Sequence, residues 1–184
     1  GSCSTLVLSA VQATEEHVAA YEGEVARWQD VIMKRQNALL LHERGGKPVE
    51  ELDAKEIMHR WLKYQVKCRE KENAGNLFSD SSVPVANLTT ALESGDVLLD
   101  AFAQVCDAKN KPDKGEVQEA KSIGLGAVFE IVAKAAHHIT GDGEWRSVDW
   151  SNENIRKPLT LEMVAAVARA VPGLDQQVFG FAKA

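Results

Sequence analysis

The sequence predicts an all-α chain, on three observations. Apolar residues recur at helical spacing in five separate stretches. Alternation with a period of two is not sustained over several strands. Glycine- and proline-containing breakers, among them Gly45-Gly46-Lys47-Pro48, Ala74-Gly75-Asn76 and Pro172-Gly173, fall between or after those stretches.

The first stretch runs from Ser9 to about Leu41, where Ser9 with Gln12 resembles a capping box. Val11, Val18, Tyr21, Val25, Trp28, Ile32 and Leu39 form one narrow stripe along it. At 1.5 Å per residue such a helix extends about 45 to 50 Å, long for a domain of this size. Gly45-Gly46-Lys47-Pro48 stops it, because glycine accepts left-handed backbone and proline cannot continue the hydrogen-bond ladder. Asp53 with Glu56 is a second capping box, followed by Ile57, Met58, Trp61, Leu62 and Val66 at helical spacing, which carries Trp61 into a core. Residues 73–84 read as a polar loop. Ser94-Gly95-Asp96 then opens a third helix with Val97, Leu98, Leu99, Phe102 and Val105 inside and Ser94 or Asp96 as its cap. After a charged loop from Asp107 to Gly115, the stretch Val117 to Ile139 is helical with a break at Gly124 or Gly126. Thr140-Gly141-Asp142-Gly143 ends it, the tract through Asn154 reads as irregular, and Leu159 to Val171 forms the last helix. The resulting organisation is a tag remnant and flexible start at 1–8, a long helix and turn at 9–47, and a helical domain at 48–184.

Length and composition narrow the function classes. The chain has 184 residues, 45% hydrophobic and 26% charged, the balance of one folded body with its own core. Its 21 basic and 27 acidic residues give a formal charge of −6, which disfavours broad attraction to nucleic acid or to anionic lipid. No apolar run approaches the roughly 20 residues needed to span a bilayer. Three widely spaced cysteines, Cys3, Cys68 and Cys106, form no metal motif, and a reducing cytoplasmic location is the simplest expectation. Gly1-Ser2 reads as a cloning remnant, so a longer natural chain is expected.

Tests for catalytic and ligand motifs point away from an enzyme. Gly124-Leu125-Gly126 and Gly141-Asp142-Gly143 lack the preceding strand that a nucleotide-binding glycine loop requires, and read as turns. The segment Asp107 to Glu119 places Lys109 and Lys111 where a calcium loop needs oxygen ligands. His137 and His138 point about 100° apart on a helix and cannot share one metal. Cys68 stands among Lys67, Arg69 and Lys71, which favours a thiolate, but a bystander thiol on a charged helix end is the simpler reading. A site assembled from residues distant in sequence is the remaining enzymatic alternative. Catalytic residues, cofactors and metals are therefore expected to be none. Two candidate partner-binding groups remain: the stripe Val18, Tyr21, Val25, Trp28 and Ile32, suited to core packing or to a coiled-coil seam, and a basic cluster of Lys63, Lys67, Arg69 and Lys71.

Three blocks resemble a divergent calponin-homology domain of the fimbrin and plastin type. Glu56-Ile57-Met58-His59-Arg60-Trp61-Leu62-Lys63-Tyr64 is similar to the family's opening helix. Val85-Ala86-Asn87-Leu88 with Leu92-Glu93-Ser94-Gly95-Asp96-Val97-Leu98-Leu99 is similar to its leucine-rich turn and helix, with Ser94 where the family usually has aspartate. Arg156-Lys157-Pro158-Leu159-Thr160-Leu161-Glu162-Met163-Val164 is similar to its closing helix. The resemblance implies a compact helical bundle, preceded here by the long amphipathic helix, acting without cofactor or catalysis as a cytoskeleton-associated module that binds a filament or an adaptor protein. The acidic balance opposes tight binding to acidic filaments. One alternative rests on the ending from Pro158-Leu159-Thr160 to Val171-Pro172-Gly173-Leu174, which resembles phage tail-assembly chaperones and implies an assembly or chaperone protein of a phage tail or secretion system. Another is a helical homodimeric adaptor paired through the N-terminal helix.

Overall fold

Asp53 starts the helix that follows it, as its sequence context predicts: its carboxylate accepts a hydrogen bond of 2.9 Å from the backbone N–H of Glu56, satisfying one of the donors that a helix start leaves open. In the computed structural model, residues 51–73, 77–79 and 92–174 are described, with Gly23, Gly46 and Lys47. Among them are five α-helices with described bounds, the further helical residues 92–94, and no strand, so the chain is all-α. The long N-terminal helix and turn expected at 9–47 lie outside the described residues except for Gly23, which is helical, and for Gly46 and Lys47 in the turn.

Helix α1 (Ala54–Asn73) turns Ile57, Met58, Trp61, Leu62, Gln65 and Cys68 inward at steps of three and four. Helix α2 (Asp96–Val105) buries Leu98, Leu99 and Phe102, whereas Val97 and Val105 are partly buried. Neither Ser94 nor Asp96 caps α2. The N-cap is Gly95, at φ 79 and without a side-chain cap. The left-handed backbone favours glycine there, and an added Cβ would crowd Val128 Cγ1 at 3.0 Å. A 3₁₀ turn (Ala108–Asn110) interrupts the charged loop, and Asp113 caps helix α3 (Lys114–Ile123) by accepting from the N–H of Glu116 at 3.0 Å. The break expected within 117–139 falls at Gly124, which separates α3 from helix α4 (Leu125–Thr140).

The tract between Gly141 and Asn154 is more ordered than its polarity predicts. Asp142 accepts from Glu144 N–H at 2.9 Å and starts a 3₁₀ helix (Gly143–Ser147), and three apolar side chains, Trp145, Val148 and Trp150, turn into the core. Helix α5 (Glu153–Ala170) starts at Asn152, whose side chain accepts from Asn154 N–H, and not near Leu159. Pro158 is accommodated inside it. A proline usually ends a helical pattern because it removes one ladder hydrogen bond and crowds the carbonyl four residues back, which is why the sequence misplaces this start. The second half of α5 buries every residue from Met163 to Ala168, as a helix with apolar residues on all sides must.

Helix α4 is the hub, packed against α2, α3, α5 and the 3₁₀ helix after it, while α1 packs on α2 and α5. Close approach at α4's first turn depends on Gly126, where a Cβ would sit 3.0 Å from the backbone of Ser151. Trp61, Tyr64, Phe102, Phe129 and Trp150 are the largest buried side chains of the shared core. Two polar anchors lock the layers. Trp61 Nε1 donates to Pro172 O at 2.8 Å, and Gln65 Nε2 donates to Pro172 O and Gly173 O at 3.0 and 3.1 Å, so α1 holds the chain as it leaves α5. Asp100, fully buried on α2, accepts from the N–H groups of Phe78 and Ser79 at 2.8 and 2.9 Å and from Ser79 Oγ at 2.5 Å. It also faces Arg69 Nε of α1 at 3.4 Å, and the guanidinium lies over the Phe78 ring at 5.7 Å.

Removing one member of a buried charge pair strands the other. Asp100→Ala is expected to lower unfolding free energy by about 3–5 kcal/mol. Ser79→Ala, which removes a single hydrogen-bond donor, is expected to cost about 1 kcal/mol. Urea denaturation of both variants measures the contrast, and equal losses would mean that the pair does not anchor the fold.

Candidate interaction surface

The partner-binding residues expected from the sequence are dispersed. Val18, Tyr21, Val25, Trp28 and Ile32 lie outside the described residues. Lys63, Lys67 and Lys71 follow one another at steps of four on α1, with Lys67 and Lys71 exposed and Lys63 half-buried. Arg69 does not join them. Two residues beyond Lys67 it points about 200° around the helix, into the pair with Asp100, where 6% of it is exposed. The basic cluster therefore reduces to three lysines.

The surface that stands out lies instead where α3 meets α4. Val117 and Ala120 anchor α3 on the core, and the neighbouring face of the same helix presents Glu116, Glu119 and Ile123. On α4, Ala127, Glu130, Ile131 and Lys134 repeat the same steps of three and four opposite them. Between the two stripes runs a groove of about 440 Å³, within the usual range for a ligand site. Trp145 and Trp150 close its inner wall and Arg146 stands at its edge. Ile123 is 74% exposed, the most exposed large apolar side chain among the described residues, and Leu125 at 39% follows it across Gly124.

The inner wall is rigid for identifiable reasons. Trp150 stacks on Phe129 with centroids 6.0 Å apart, and its Nε1 donates to Trp145 O at 2.9 Å. Arg156 Nη1 donates to Trp150 O at 2.9 Å while its guanidinium covers the other aromatic partner, Phe129, at 5.5 Å. Trp145, by contrast, holds a buried indole N–H without an acceptor among the described residues. The groove's charges are unevenly matched. Lys134 Nζ lies 3.6 Å from Glu116, whereas Glu119 and Glu130 are exposed and make no ion pair among the described residues.

A second groove, of about 420 Å³, lies between Leu92, Leu125 and Leu161. On its charged rim, which also holds Glu93 and Arg156, Lys157 Nζ is 2.9 Å from Glu153. That hydrogen bond and charge raise the Lys157 pKa and lower that of Glu153. Both side chains are exposed, so the pair sets local charge more than stability.

Reactive groups occur elsewhere. Cys68 and Cys106 are buried and are not joined in a disulfide. Cys68 belongs to the core of α1 and is not the exposed thiol of a charged helix end. Burial, and then the charge of Asp107, push the Cys106 thiol above its usual pKa, which disfavours the thiolate. The His137 and His138 rings lie 5.6 Å apart and tilted. Among the described residues no group of three or more His, Cys, Asp or Glu side chains is placed to hold a metal, and no helix is long and apolar enough to cross a membrane. Comparison of the chain with protein-family models, with curated proteins and with solved structures finds no match.

The two tryptophans of the inner wall provide an internal control. Trp145→Phe and Trp150→Phe remove the same volume, but only the second deletes a made hydrogen bond, the one to Trp145 O. Trp150→Phe is expected to be the less stable variant by about 1–3 kcal/mol in chemical denaturation. Equal stabilities would show that the Trp150–Trp145 bond does not hold the wall.

Proposed function

We propose that the chain is a non-catalytic protein-interaction module that docks a partner segment in the groove between α3 and α4. The observation that carries this reading is Ile123. An isoleucine 74% exposed at the mouth of a groove floored by Ala120, Ala127 and Ile131 is apolar surface that the fold leaves uncovered, and an apolar depression with a polar rim is the form that recognition sites take. The matching stripes cover about two helical turns on each side, which suits a short segment and a weak, reversible contact.

The calponin-homology resemblance extends this reading to the cytoskeleton. Within it, an adaptor is the better-supported partner than a filament, because the net charge of −6 and the glutamates of the groove repel an acidic polymer.

Selection of binders from a display library of random 16-residue peptides tests the docking reading. Peptides that bind the wild-type chain are expected to lose at least tenfold in affinity for Ile123→Arg, while that exposed substitution leaves stability within about 0.5 kcal/mol. Binders indifferent to Ile123→Arg, or the absence of any binder, would overturn it.

A further inference from the structure

The charges around the groove go further than its shape, and the following inference rests on the docking reading above. We infer that the groove takes a basic amphipathic segment of a partner protein, with apolar side chains three and four residues apart on one side and lysine or arginine beside them. Glu119 on α3 and Glu130 on α4 stand on the two helices that form the groove. Both carboxylates are exposed, and neither makes an ion pair among the described residues. The nearby cations are largely committed elsewhere. Lys134 faces Glu116 at 3.6 Å, and Lys121 of α3 faces Asp96 at 3.1 Å. Arg146, on the 3₁₀ helix and not on α3 or α4, is the one cation of the lining that makes no ion pair among the described residues. An occupant whose apolar residues meet Ile123 and Ile131 therefore brings its flanking positions beside two carboxylates that make no ion pair among the described residues, in a lining whose three glutamates outnumber Lys134 and Arg146. A cationic flank gains from both, and an acidic flank is repelled by both. The matching three-and-four spacing of the stripes fits one face of a helix laid between them.

The probes are two synthetic peptides of 14 residues, one with leucines at helical spacing and lysine elsewhere, the other with glutamate in place of every lysine, titrated by fluorescence anisotropy. The wild-type chain is expected to bind the lysine peptide at least tenfold more tightly than the glutamate peptide, and more weakly as salt is added. Glu119→Lys with Glu130→Lys is expected to weaken the lysine peptide at least tenfold and to improve binding of the glutamate peptide. The control pair Glu51→Lys with Glu70→Lys changes net charge equally at exposed positions of the sequence away from the groove, and is expected to change affinity less than threefold. Equal weakening by the control pair would mean general attraction to an acidic chain and would overturn the inference. Loss of binding in Ile123→Arg with no response to the Glu119 and Glu130 reversals would remove the charge preference and leave the docking reading standing. Indifference to Ile123→Arg would remove both.

Discussion

The fold depends on a buried carboxylate. Asp100 sits on α2 with no exposed surface, and an isolated charge there would be prohibitive. It is tolerable because two backbone N–H groups, a serine hydroxyl and a guanidinium converge on it. Those donors come from two places in the chain, Phe78 with Ser79 and Arg69 on α1, and they meet on a carboxylate that α2 carries. An apolar side chain at 100 could pack, but it would specify neither the path of residues 77–79 nor the rotation of α1 about its axis. The ion pair and its hydrogen bonds select one arrangement from several that burial alone would allow, which is the clearest use a buried charge can have.

From that point the packing is hierarchical. α1 and α2, fixed by Asp100, present Trp61 and Gln65 to the carbonyls at Pro172 and Gly173, and this seats the end of α5. Gly173 is suited to the position by its φ of +60 and by a Val105 Cγ1 that would lie 2.8 Å from an added Cβ. α4 fills the middle. Its first turn comes close to Ser151 at Gly126, and the Phe129–Trp150–Arg156 sandwich joins α4 to the start of α5. The groove is a by-product of this order: α3 rests on α4 through Val117 and Ala120 and leaves Glu119 and Ile123 exposed beside it.

Much of the fold was legible where a residue's local chemistry agrees with its place in the whole. Asp53 reads as a cap and is one, Trp61 reads as core and is buried, and Gly124 and Gly141 read as breaks and end helices. The misreadings share a cause. Trp145 and Trp150 sit among aspartate, glutamate, serine and asparagine, so no period marks them, and only contacts with Phe129 and α4 make them core. Pro158 looks like a boundary because the usual rule is local, whereas its helix is held by tertiary packing. Arg69 looks like one charge of a solvated run until Asp100, distant in sequence, claims it. The candidate site was not legible at all. Its two stripes are ordinary fragments of separate helices, and nothing in either one announces that Gly124 sets them face to face. The stripe from Val18 to Ile32, which the sequence singles out, lies outside the described residues.

The division of labour on α3 has a consequence for how such a protein can change. Val117 and Ala120 tie the helix to the core, while Glu116, Glu119 and Ile123 contribute mainly to the groove. Substitutions at the second set leave the buried contacts untouched, and exposed positions of this kind usually shift stability by only a few tenths of a kcal/mol. Specificity can thus drift almost independently of foldability. Descendants of one ancestral chain could keep an identical interior and acquire different partners by altering a handful of rim residues, so that likeness in the core would be a poor guide to likeness in what is bound.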